Sequence, residues 1–400
     1  MFINSLLETD FYEFLMQQIF VNKFSDVDGK LKFKCRNKNL KYSQYAERLK
    51  EEVDNLCELR FTNDEIEYLS NLKTKSGNYI FHQCGDSYLE FLRNFQFNKK
   101  YFTITDDFSG NLDIEINGPI RYSTFYEVFL LRIISFLNTE FNTEHEDNLM
   151  DGRFYLNNKI KKIMAYTDSE NVPFKFADFG TRRSYSFNFH DYLVRTLVEK
   201  IPDSFVGTSN VYFARKYGIK PIGTMAHKFI QMFQGIKGVS IKDSQKEAFQ
   251  SWAEFYRGDL GIALSDTLGD KKFFNDFDFY FAKLFDGVRN DSGDPYEWGE
   301  KMVKLYENYN IDPKTKTLVF SNGLSIVEAI QLNTYFKNKI NISFGIGTNL
   351  TNDCEIEPLN IVIKLIEANG NSVAKISADS SKEMCEDKMY LDYLRYVCES

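Results

Sequence analysis

From about Pro173 onward the chain alternates short apolar runs with longer segments of helical spacing. Each apolar run ends in a cluster of small and polar residues. Buried parallel strands have this appearance, because helices cover both of their faces. The alternation predicts an α/β fold with right-handed crossovers, either a barrel or an open doubly wound sheet. The runs that we interpret as strands are PFKFADFGTRR, SFVGTSN, KPIGTMAH, GIALSDT, FDGVRNDSGDP, TLVFSNGLS and NISFGIGTNLTND.

Local signals support the helices between these strands. Asp294 followed by Pro295 is typical of a helix start, and Ser325 with Glu328 forms a capping box. Gly218 is expected to end the short helix that follows SFVGTSN.

The rest of the chain mixes helical and strand patterns. Upstream, YSQYAERLKEEVDNLCEL, NDEIEYLSNL and STFYEVFLLRIISFLNTEF have helical spacing, and YFTITDDFSGNLDIEINGP predicts a hairpin through Ser109–Gly110. Downstream, a hairpin is expected at Asn369–Gly370 and a helix from about Lys388. We therefore expect an N-terminal α/β domain joined by part of the C-terminal segment, a catalytic barrel, and a C-terminal hairpin and helix that pack back on both: residues 1–135, 136–355 and 356–400.

Composition excludes several classes of function. A net charge of −8 and a pI near 5.3 argue against a nucleic-acid surface, which needs a basic face. The six cysteines form no CxxC pair and are typical of reduced cytosolic thiols. The acidic N-terminus does not resemble a secretion signal, and Glu127 and Arg132 interrupt the most apolar run. We predict a cytoplasmic protein that binds neither membrane nor nucleic acid.

Reactive side chains follow every predicted strand, and this arrangement favours a barrel, whose site lies at the carboxyl ends of its strands. These side chains are Asp178, Arg182, Arg183, Ser209, Asn210, Thr224, His227, Asp266, Thr267, Arg289, Asp291, Ser292, Asp294, Ser321, Asn322, Thr348 and Asn349. Gly345 and Gly347 allow backbone N–H groups to approach a phosphate, or they simply make a turn. The arginines suit phosphate or carboxylate, or pair with nearby acids. Asp266 and Asp291 suit Mg²⁺ or sugar hydroxyls, or cap helices.

The four histidines differ in their surroundings. No HxH or HExxH pair occurs, so a histidine metal site is not expected. His190 lies in a helical segment, where we expect it to pack or to hydrogen-bond. His227 follows a predicted strand and a Gly-Thr pair, which places it on the candidate catalytic face.

Several long motifs resemble the nicotinate phosphoribosyltransferases of bacteria and fungi: LLETDFYEFLMQQ, FADFGTRRSYS, FVGTSNVYFARKYGIKPIGTMAHKFIQ, FDFYFAKLFDGVRNDSGDPYEWGEK, SFGIGTNLTND and PLNIVIKLIEANGNSVAKIS. They occur in order over essentially the whole chain. The resemblance implies an irregular TIM-like α/β barrel of the type II phosphoribosyltransferases with an N-terminal α/β domain. It implies that nicotinate and phosphoribosyl pyrophosphate give nicotinate mononucleotide and pyrophosphate, with ATP hydrolysis, as the first step of NAD salvage from nicotinate. A homodimer is compatible with it.

The resemblance also implies roles for individual residues. His227 corresponds to the family's phosphohistidine, and a largely neutral imidazole is able to attack the γ-phosphate of ATP. Thr224 and Arg289 would contact nicotinate, with Arg289 paired to its carboxylate, and Tyr12 would lie near the pyridine ring, from either the same or a neighbouring subunit.

The phosphates and the ribose are assigned in the same way. Asp266 and Asp291 would face the ribose and a diphosphate-bound Mg²⁺, and no direct protein site for the metal is assigned. The residues expected at the phosphates of the ribosyl donor are Arg182, Arg183, Ser292, Gly345, Gly347 and Thr348.

The chain departs from the family pattern at two positions. Lys228 stands beside the histidine where we expect an acidic residue in many bacterial relatives. Relatives often have an acidic residue after Ser135 as well, and here the next residue is Phe136. The alternatives are a nicotinamide or quinolinate phosphoribosyltransferase, a non-catalytic sensor of pyridine nucleotides, and an aldolase or isomerase barrel. The last would need a base or a Schiff-base lysine at a strand end, for which Lys283 is the candidate, although we expect it to support the anion site instead.

Overall fold

The computed structural model describes residues 1–142, 145–354, 356–376 and 385–399. These residues form two sheets, one of five and one of six strands, around a common apolar core. Within these ranges, no helix combines the length and the apolar character needed to cross a membrane.

The helices and strands alternate as the sequence predicts. The α-helices are α1 Phe11–Lys23, α2 Tyr42–Glu58, α3 Asn63–Ser70, α4 Ser87–Arg93, α5 Ile120–Ser123, α6 Tyr126–Asn142, α7 His145–Glu170, α8 Phe187–Lys200, α9 Val211–Tyr217, α10 His227–Met232, α11 Ser244–Phe255, α12 Asp270–Asp276, α13 Phe279–Leu284, α14 Pro295–Asn308, α15 Ile326–Phe336, α16 Thr348–Thr351 and α17 Lys388–Glu399. The strands are β1 Asp28–Cys35, β2 Gln83–Asp86, β3 Phe102–Asp106, β4 Leu112–Pro119, β5 Phe176–Asp178, β6 Phe205–Thr208, β7 Ile262–Leu264, β8 Gly287–Asn290, β9 Thr317–Phe320, β10 Asn341–Ile346, β11 Ile361–Ala368 and β12 Asn371–Ser372.

The predicted helix signals are confirmed. The Asp294 side chain accepts a hydrogen bond from the backbone N–H of Glu297, with Pro295 in the first turn of α14. Ser325 forms its capping box at the start of α15. Gly218 ends α9 in the left-handed region at φ 63°, a conformation that favours glycine.

Six of the seven predicted strands form one parallel sheet in the order β6-β5-β10-β9-β8-β7. The prediction for KPIGTMAH is wrong, because this segment makes only an isolated bridge between Thr208 and Pro221. Proline has no N–H to donate to a ladder, and Gly223 offers no side chain to pack. The segment is nevertheless extended beside β6.

This irregular segment lies between the two edges of the sheet. On one side the backbone N–H of Ile222 donates to the Thr208 carbonyl of β6 over 2.9 Å. On the other side the Thr224 hydroxyl donates to the Ile262 carbonyl of β7 over 3.1 Å. The six-stranded sheet and this segment therefore form a closed but irregular barrel. A backbone hydrogen bond joins the segment to β6, and a side-chain hydrogen bond joins it to β7.

The second sheet has the order β12-β11-β1-β4-β3 and unites both ends of the chain. Leu31 in β1 is paired with Ile116 in β4 and with Leu365 in β11. The predicted hairpin between β11 and β12 is confirmed, with Asn369 at φ 50° and Gly370 at φ 72°.

The N-terminal segment enters the mouth of the barrel just before α1. Phe11 donates its backbone N–H to the Ser209 carbonyl over 2.7 Å, and Val211 donates to the Thr9 carbonyl over 3.0 Å. Asp10 therefore lies beside the carboxyl end of β6, bridged to Asn210. Through this pairing the N-terminal domain contributes directly to the face of the barrel where the strand ends converge.

Candidate active site

A cavity opens at the carboxyl ends of the barrel strands, with the start of α1 forming one wall. Most of the residues predicted from the strand ends meet here. Its lining consists of Asp10, Tyr12, Phe179, Gly180, Arg182, Arg183, Ser209, Ile222, Gly223, Ala226, His227, Arg289, Asp291, Ser321, Gly323, Gly345, Gly347, Thr348 and Asn349. We call this the first cavity.

A second cavity adjoins the first and extends towards β1 and β11 of the other sheet. Arg182, Arg183, His227 and Asp291 belong to both linings. The remaining wall is rich in cations. The full lining is Arg36, Glu127, Arg182, Arg183, Ala226, His227, Lys228, Gln231, Asp291, Ser321, Asn322, Gly323, Asn360, Val362, Ile363, Lys364 and Lys375.

His227 stands in the wall shared by the two cavities. It is the first residue of α10. Two side chains contact its Nε2: Oδ1 of Asp266 lies 2.9 Å away, and Nζ of Lys375 also lies 2.9 Å away. Among the described residues none makes a hydrogen bond to Nδ1. Burial and the Lys375 ammonium lower the pKa of His227, so the imidazole is neutral near pH 7.

Asp266 lies behind His227 and does not line either cavity. Its Oδ1 faces His227, while its Oδ2 accepts hydrogen bonds from Lys375 over 2.6 Å and from Ser292 over 2.8 Å. Although burial raises the pKa of Asp266, the imidazole of His227 and the ammonium of Lys375 hold it well below its usual range. The ionised carboxylate orients the imidazole, and Ser292 positions the carboxylate.

Asp291 is the carboxylate that faces both cavities. Its Oδ1 accepts a hydrogen bond from Ser321 over 2.8 Å, and its Oδ2 lies 3.9 Å from Nε2 of His227. Burial raises the pKa of Asp291, but Arg289, His227 and Lys375 together outweigh burial, and the pKa lies below its usual value.

The three side chains of His227, Asp266 and Asp291 are close enough to hold a metal ion, with their ligand atoms within 4.8 Å of one another. Both oxygens of Asp266 are already engaged, however, and the ammonium of Lys375 neutralises its charge. Asp291 is therefore the carboxylate with an oxygen available, which fits a metal ion carried in by a substrate better than a metal site made by protein alone.

Arg182 and Arg183 belong to a tight turn, Thr181–Arg183, directly after β5. Asp178 holds the start of this turn by accepting a hydrogen bond from the N–H of Gly180 over 2.8 Å. The Asp178 carboxylate is in turn fixed by His190, whose Nε2 lies 2.6 Å from Oδ2. His190 therefore packs and hydrogen-bonds as predicted, and Asp178 supports the turn from a buried position outside the cavities.

Burial lowers the pKa of Arg183 to about 9, and the neighbouring Arg182 guanidinium contributes to the shift. Arg183 donates from Nε to the Ile361 carbonyl over 3.2 Å. Arg182 is paired with Glu127, its Nη1 lying 3.3 Å from Oε1. Two adjacent cations on one cavity wall are unfavourable without an anion between them, and this supports an anion site.

Arg289 and Tyr12 both line the first cavity. The Nε of Arg289 is buried and has no hydrogen-bond partner in the described parts of the chain. A buried guanidinium with an unsatisfied donor suits a ligand carboxylate. Tyr12 reaches the cavity from the same chain, at the start of α1.

Gly345 near the end of β10 and Gly347 directly after it serve two different purposes. A Cβ at Gly345 would lie 2.2 Å from the Phe179 ring, so glycine is required there by packing. A Cβ at Gly347 would have its nearest neighbour 3.4 Å away, at the Phe179 carbonyl. Both line the first cavity beside Thr348, and Gly347 is the position where open space is left for a ligand.

Three of the residues to which the family resemblance gives a role are absent from the cavity linings: Thr224, Asp266 and Ser292. The other strand-end residues outside both linings are Asp178, Asn210, Thr267 and Asp294. Thr224 uses its hydroxyl to close the barrel, and Ser292 donates to Asp266. Lys283 is exposed on α13, outside both linings. The expectation that it supports the anion site is therefore wrong, and the Schiff-base alternative loses its candidate.

Sequence reasoning missed Asp10, Arg36, Glu127, Lys364 and Lys375 as lining residues. Asp10 has a local signal, because it lies two residues before Tyr12 in TDFYEF. Lys364 and Lys375 lie in a motif that resembles the family, but no feature of the strand ends points to them.

Comparisons with known proteins agree with this architecture. Residues 174–400 match the nicotinate phosphoribosyltransferase (NAPRTase) family, and residues 7–135 match the nicotinate phosphoribosyltransferase (NAPRTase) N-terminal domain. A nicotinate phosphoribosyltransferase of Burkholderia mallei is 43% identical over 399 residues, which is 99% of this chain and 97% of the relative. The crystal structure of nicotinate phosphoribosyltransferase from Vibrio cholerae has a TM-score of 0.92 at 34% identity, covering 99% of this chain and 94% of that chain.

A second crystal structure, of nicotinate phosphoribosyltransferase from Porphyromonas gingivalis, has a TM-score of 0.90 at 32% identity and covers 99% of each chain. The fold and the site therefore define an enzyme of the transferase class. The chain belongs to the nicotinate phosphoribosyltransferase family.

Proposed function

We propose that this chain forms nicotinate mononucleotide and pyrophosphate from nicotinate and phosphoribosyl pyrophosphate, and that ATP hydrolysis drives the reaction through a phosphohistidine at His227. In the transfer step the pyridine nitrogen forms a bond to C1 of the ribose, and the bond from C1 to the diphosphate oxygen breaks. The names of the relatives and the two adjoining cavities support this proposal. A cytoplasmic location and a homodimer remain predictions.

Nicotinate fits the first cavity. The Arg289 guanidinium would pair with its carboxylate and satisfy the buried Nε donor. The Tyr12 ring would pack against the pyridine. Thr224, which the family resemblance assigns to nicotinate, would then act from behind the cavity wall, because its hydroxyl donates to the Ile262 carbonyl.

The phosphates of the ribosyl donor and of ATP fit the cation-rich side of the site. Arg36, Arg183, Lys364 and Lys375 line the second cavity. Burial lowers the pKa of Lys364 to about 7, and the nearby Lys375 and Arg36 cations add to the effect. A bound diphosphate would relieve this repulsion and favour the charged lysine. Gly347 and Thr348 would receive the remaining phosphate from the other wall.

His227 is suited to act as the phosphoryl acceptor. In the reactive tautomer Nε2–H donates to Oδ1 of Asp266, and Lys375 donates to Oδ2 of the same carboxylate and not to Nε2. The lone pair then lies on Nδ1, which makes no hydrogen bond to the described residues. Nδ1 would attack the γ-phosphorus of ATP, the bond to the β,γ-bridging oxygen would break, and ADP would leave. Water would later hydrolyse the phosphohistidine and release phosphate.

Asp291 would complete the site. Its free oxygen would hold Mg²⁺ bound to the substrate diphosphate, and its negative charge would stabilise the positive charge that develops on the ribose. Mg²⁺ would neutralise charge on the leaving diphosphate.

The position of His227 in the wall shared by both cavities is the observation that carries this proposal. A neutral imidazole there can accept a phosphoryl group beside the donor site. The charge of the phosphorylated imidazole would then act on the ligands in both cavities. The test is to incubate the wild type and a His227→Ala variant with γ-labelled ATP and to measure nicotinate mononucleotide formation with and without ATP.

We expect acid-labile label on the wild type, none on the variant, and stimulation by ATP of the wild type only. Label that persists on the variant would refute the assignment of the histidine. An absence of nicotinate mononucleotide under all conditions, with folded protein, would refute the transfer reaction itself.

A further inference from the structure

Lys228, which directly follows His227, is a buried cation with three partners. Only 3% of its side chain is exposed. Its Nζ lies 2.5 Å from Oε1 of Glu13 and 2.8 Å from Oε2 of Glu127, and it donates to the Thr124 carbonyl over 2.9 Å. These contacts join the first turn of α10 to α1 and to α6.

Glu127 is shared between two cations. Its Oε2 accepts from Lys228, and its Oε1 lies 3.3 Å from Nη1 of Arg182. Arg182 lines both cavities, as His227 does. One carboxylate therefore connects the segment that carries the histidine to a guanidinium at the same site.

The cluster contains two acids, Glu13 and Glu127, and two cations, Lys228 and Arg182. Burial raises the pKa of Glu13, and the Lys228 ammonium opposes this shift only in part. Lys228, Glu13 and Glu127 are buried, whereas 36% of the Arg182 side chain is exposed. Low dielectric around the three buried members makes their pairing strong and an unpaired charge costly. The geometry is consequently rigid, since any rotation of one member would leave another without its partner.

We infer that Lys228 is a positioning residue for the transfer reaction, which holds His227 and Arg182 in a fixed relation through Glu13 and Glu127. The inference rests on the proposed function. Lys228 does not touch the reacting atoms; it acts through the start of α10 and through Glu127. Arg182 would meet a phosphate of the ribosyl donor, so loss of the lysine is expected to weaken donor binding and to slow phosphorylation of His227.

The main variant is Lys228→Met, which keeps much of the volume and removes the charge. Lys272→Met is the matched control, because Lys272 is also buried and paired, with Asp276 on α12, and lines neither cavity. The charge-swapped double variant Glu13→Lys/Lys228→Glu keeps one cation between two carboxylates. In that variant the cation lies on α1, where it faces Glu127 and the carboxylate introduced on α10.

For Lys228→Met we expect a rise of roughly tenfold in the KM for phosphoribosyl pyrophosphate and a fall of roughly tenfold to a hundredfold in the rate of His227 labelling, the size of effect produced by misplacing groups by about 1 Å. The KM for nicotinate should rise less than the KM for the donor, because Lys228 approaches the nicotinate side only through the Tyr12 ring, whose centroid lies 6.0 Å from its Nζ. Lys272→Met should lower the melting temperature without altering either KM, and the charge swap should recover most of the donor affinity lost in Lys228→Met.

Two results would overturn the inference: folded Lys228→Met with the donor KM and labelling rate of the wild type, or a folded charge swap as impaired as Lys228→Met. If Lys228→Met does not fold, Glu13→Gln/Lys228→Met takes its place with the same expectation, since it leaves Glu127 paired with Arg182. If ATP does not label the wild type, the phosphohistidine proposal fails, while the donor KM values still decide the role of Lys228.

Discussion

Lys375 donates a hydrogen bond from Nζ to Oδ2 of Asp266 over 2.6 Å, which joins the segment after β12 to the end of β7. The same ammonium lies 2.9 Å from Nε2 of His227. Besides burial, the pKa of the histidine therefore depends on a cation that follows β12 and on an anion that follows β7.

Asp266→Asn should slow phosphorylation of His227. An amide is less able than a carboxylate to hold the proton on Nε2, so the lone pair is no longer confined to Nδ1. We expect the rate of labelling by γ-labelled ATP to fall by roughly a hundredfold. Ser292→Ala, which removes one hydrogen bond to the same carboxylate, should have a smaller effect. An undiminished labelling rate in Asp266→Asn would contradict the assigned role.

Lys375→Met should move the pH dependence of labelling to higher pH. The ammonium helps to lower the pKa of His227, so its removal raises that pKa, and a higher pH is then needed to give the neutral nucleophile. The rate should be measured from pH 5 to 8 at saturating ATP, a range chosen to span the ordinary imidazole pKa of about 6.5.

Lys364→Met serves as the control for this prediction. Lys364 also lines the second cavity, whereas the charges that shift the pKa of His227 come from Lys375, Asp266 and Asp291. In Lys364→Met the rise of the labelling rate with pH should therefore occur at the same pH as in the wild type. An equal shift of this rise in both variants would contradict a specific role of Lys375.

Arg289→Gln should reduce the preference for nicotinate over nicotinamide. A hydrogen bond between charged groups contributes about 1.5–3 kcal/mol, so the KM for nicotinate should rise by roughly ten- to a hundredfold. Any activity with nicotinamide should change little, since the amide has no negative charge to lose. Steady-state kinetics with both substrates distinguish this from a general distortion of the pocket, which would raise the KM for both substrates together.

Arg132→Met should destabilise the docking of the N-terminal segment. Arg132 on α6 and Glu8 are both fully buried, with Nη2 and Oε2 3.3 Å apart. Removing one partner of a buried pair costs about 3–5 kcal/mol, whereas replacing both with neutral side chains is often tolerated. Urea denaturation should therefore show a large loss for Arg132→Met and a partial recovery for Glu8→Gln/Arg132→Met. A double variant less stable than the single one would contradict this account.

The sequence was sufficient for six of the seven predicted barrel strands and for their helices because their signals are local. A buried strand, a capping residue and a terminating glycine each act within a few positions, as Ser325 and Gly218 do here. His227, Arg289 and Asp291 were found for the same reason, since parallel strands end at one face of the barrel.

The remaining site residues depend on long-range pairing, and no local pattern reveals it. Lys364 reaches the second cavity from β11, whose partner β1 lies far away in sequence, and Lys375 reaches it from the segment after β12. Thr224 and Ser292 illustrate the opposite error. Both stand at strand ends, but Thr224 donates its hydroxyl to the Ile262 carbonyl and Ser292 donates its hydroxyl to the Asp266 carboxylate. Only the three-dimensional structure shows which group accepts each hydrogen bond.

The pairing of Leu31 with Leu365 also has a consequence for synthesis of the protein. On the ribosome β1 emerges long before β11, so β1 lacks this neighbour until the segment Ile361–Ala368 has also been translated. Until then that edge of β1 is open to pairing with other nascent chains. Arrival of β11 covers the edge and brings Lys364 to the second cavity, so the last strands both protect the newborn protein and complete its active site.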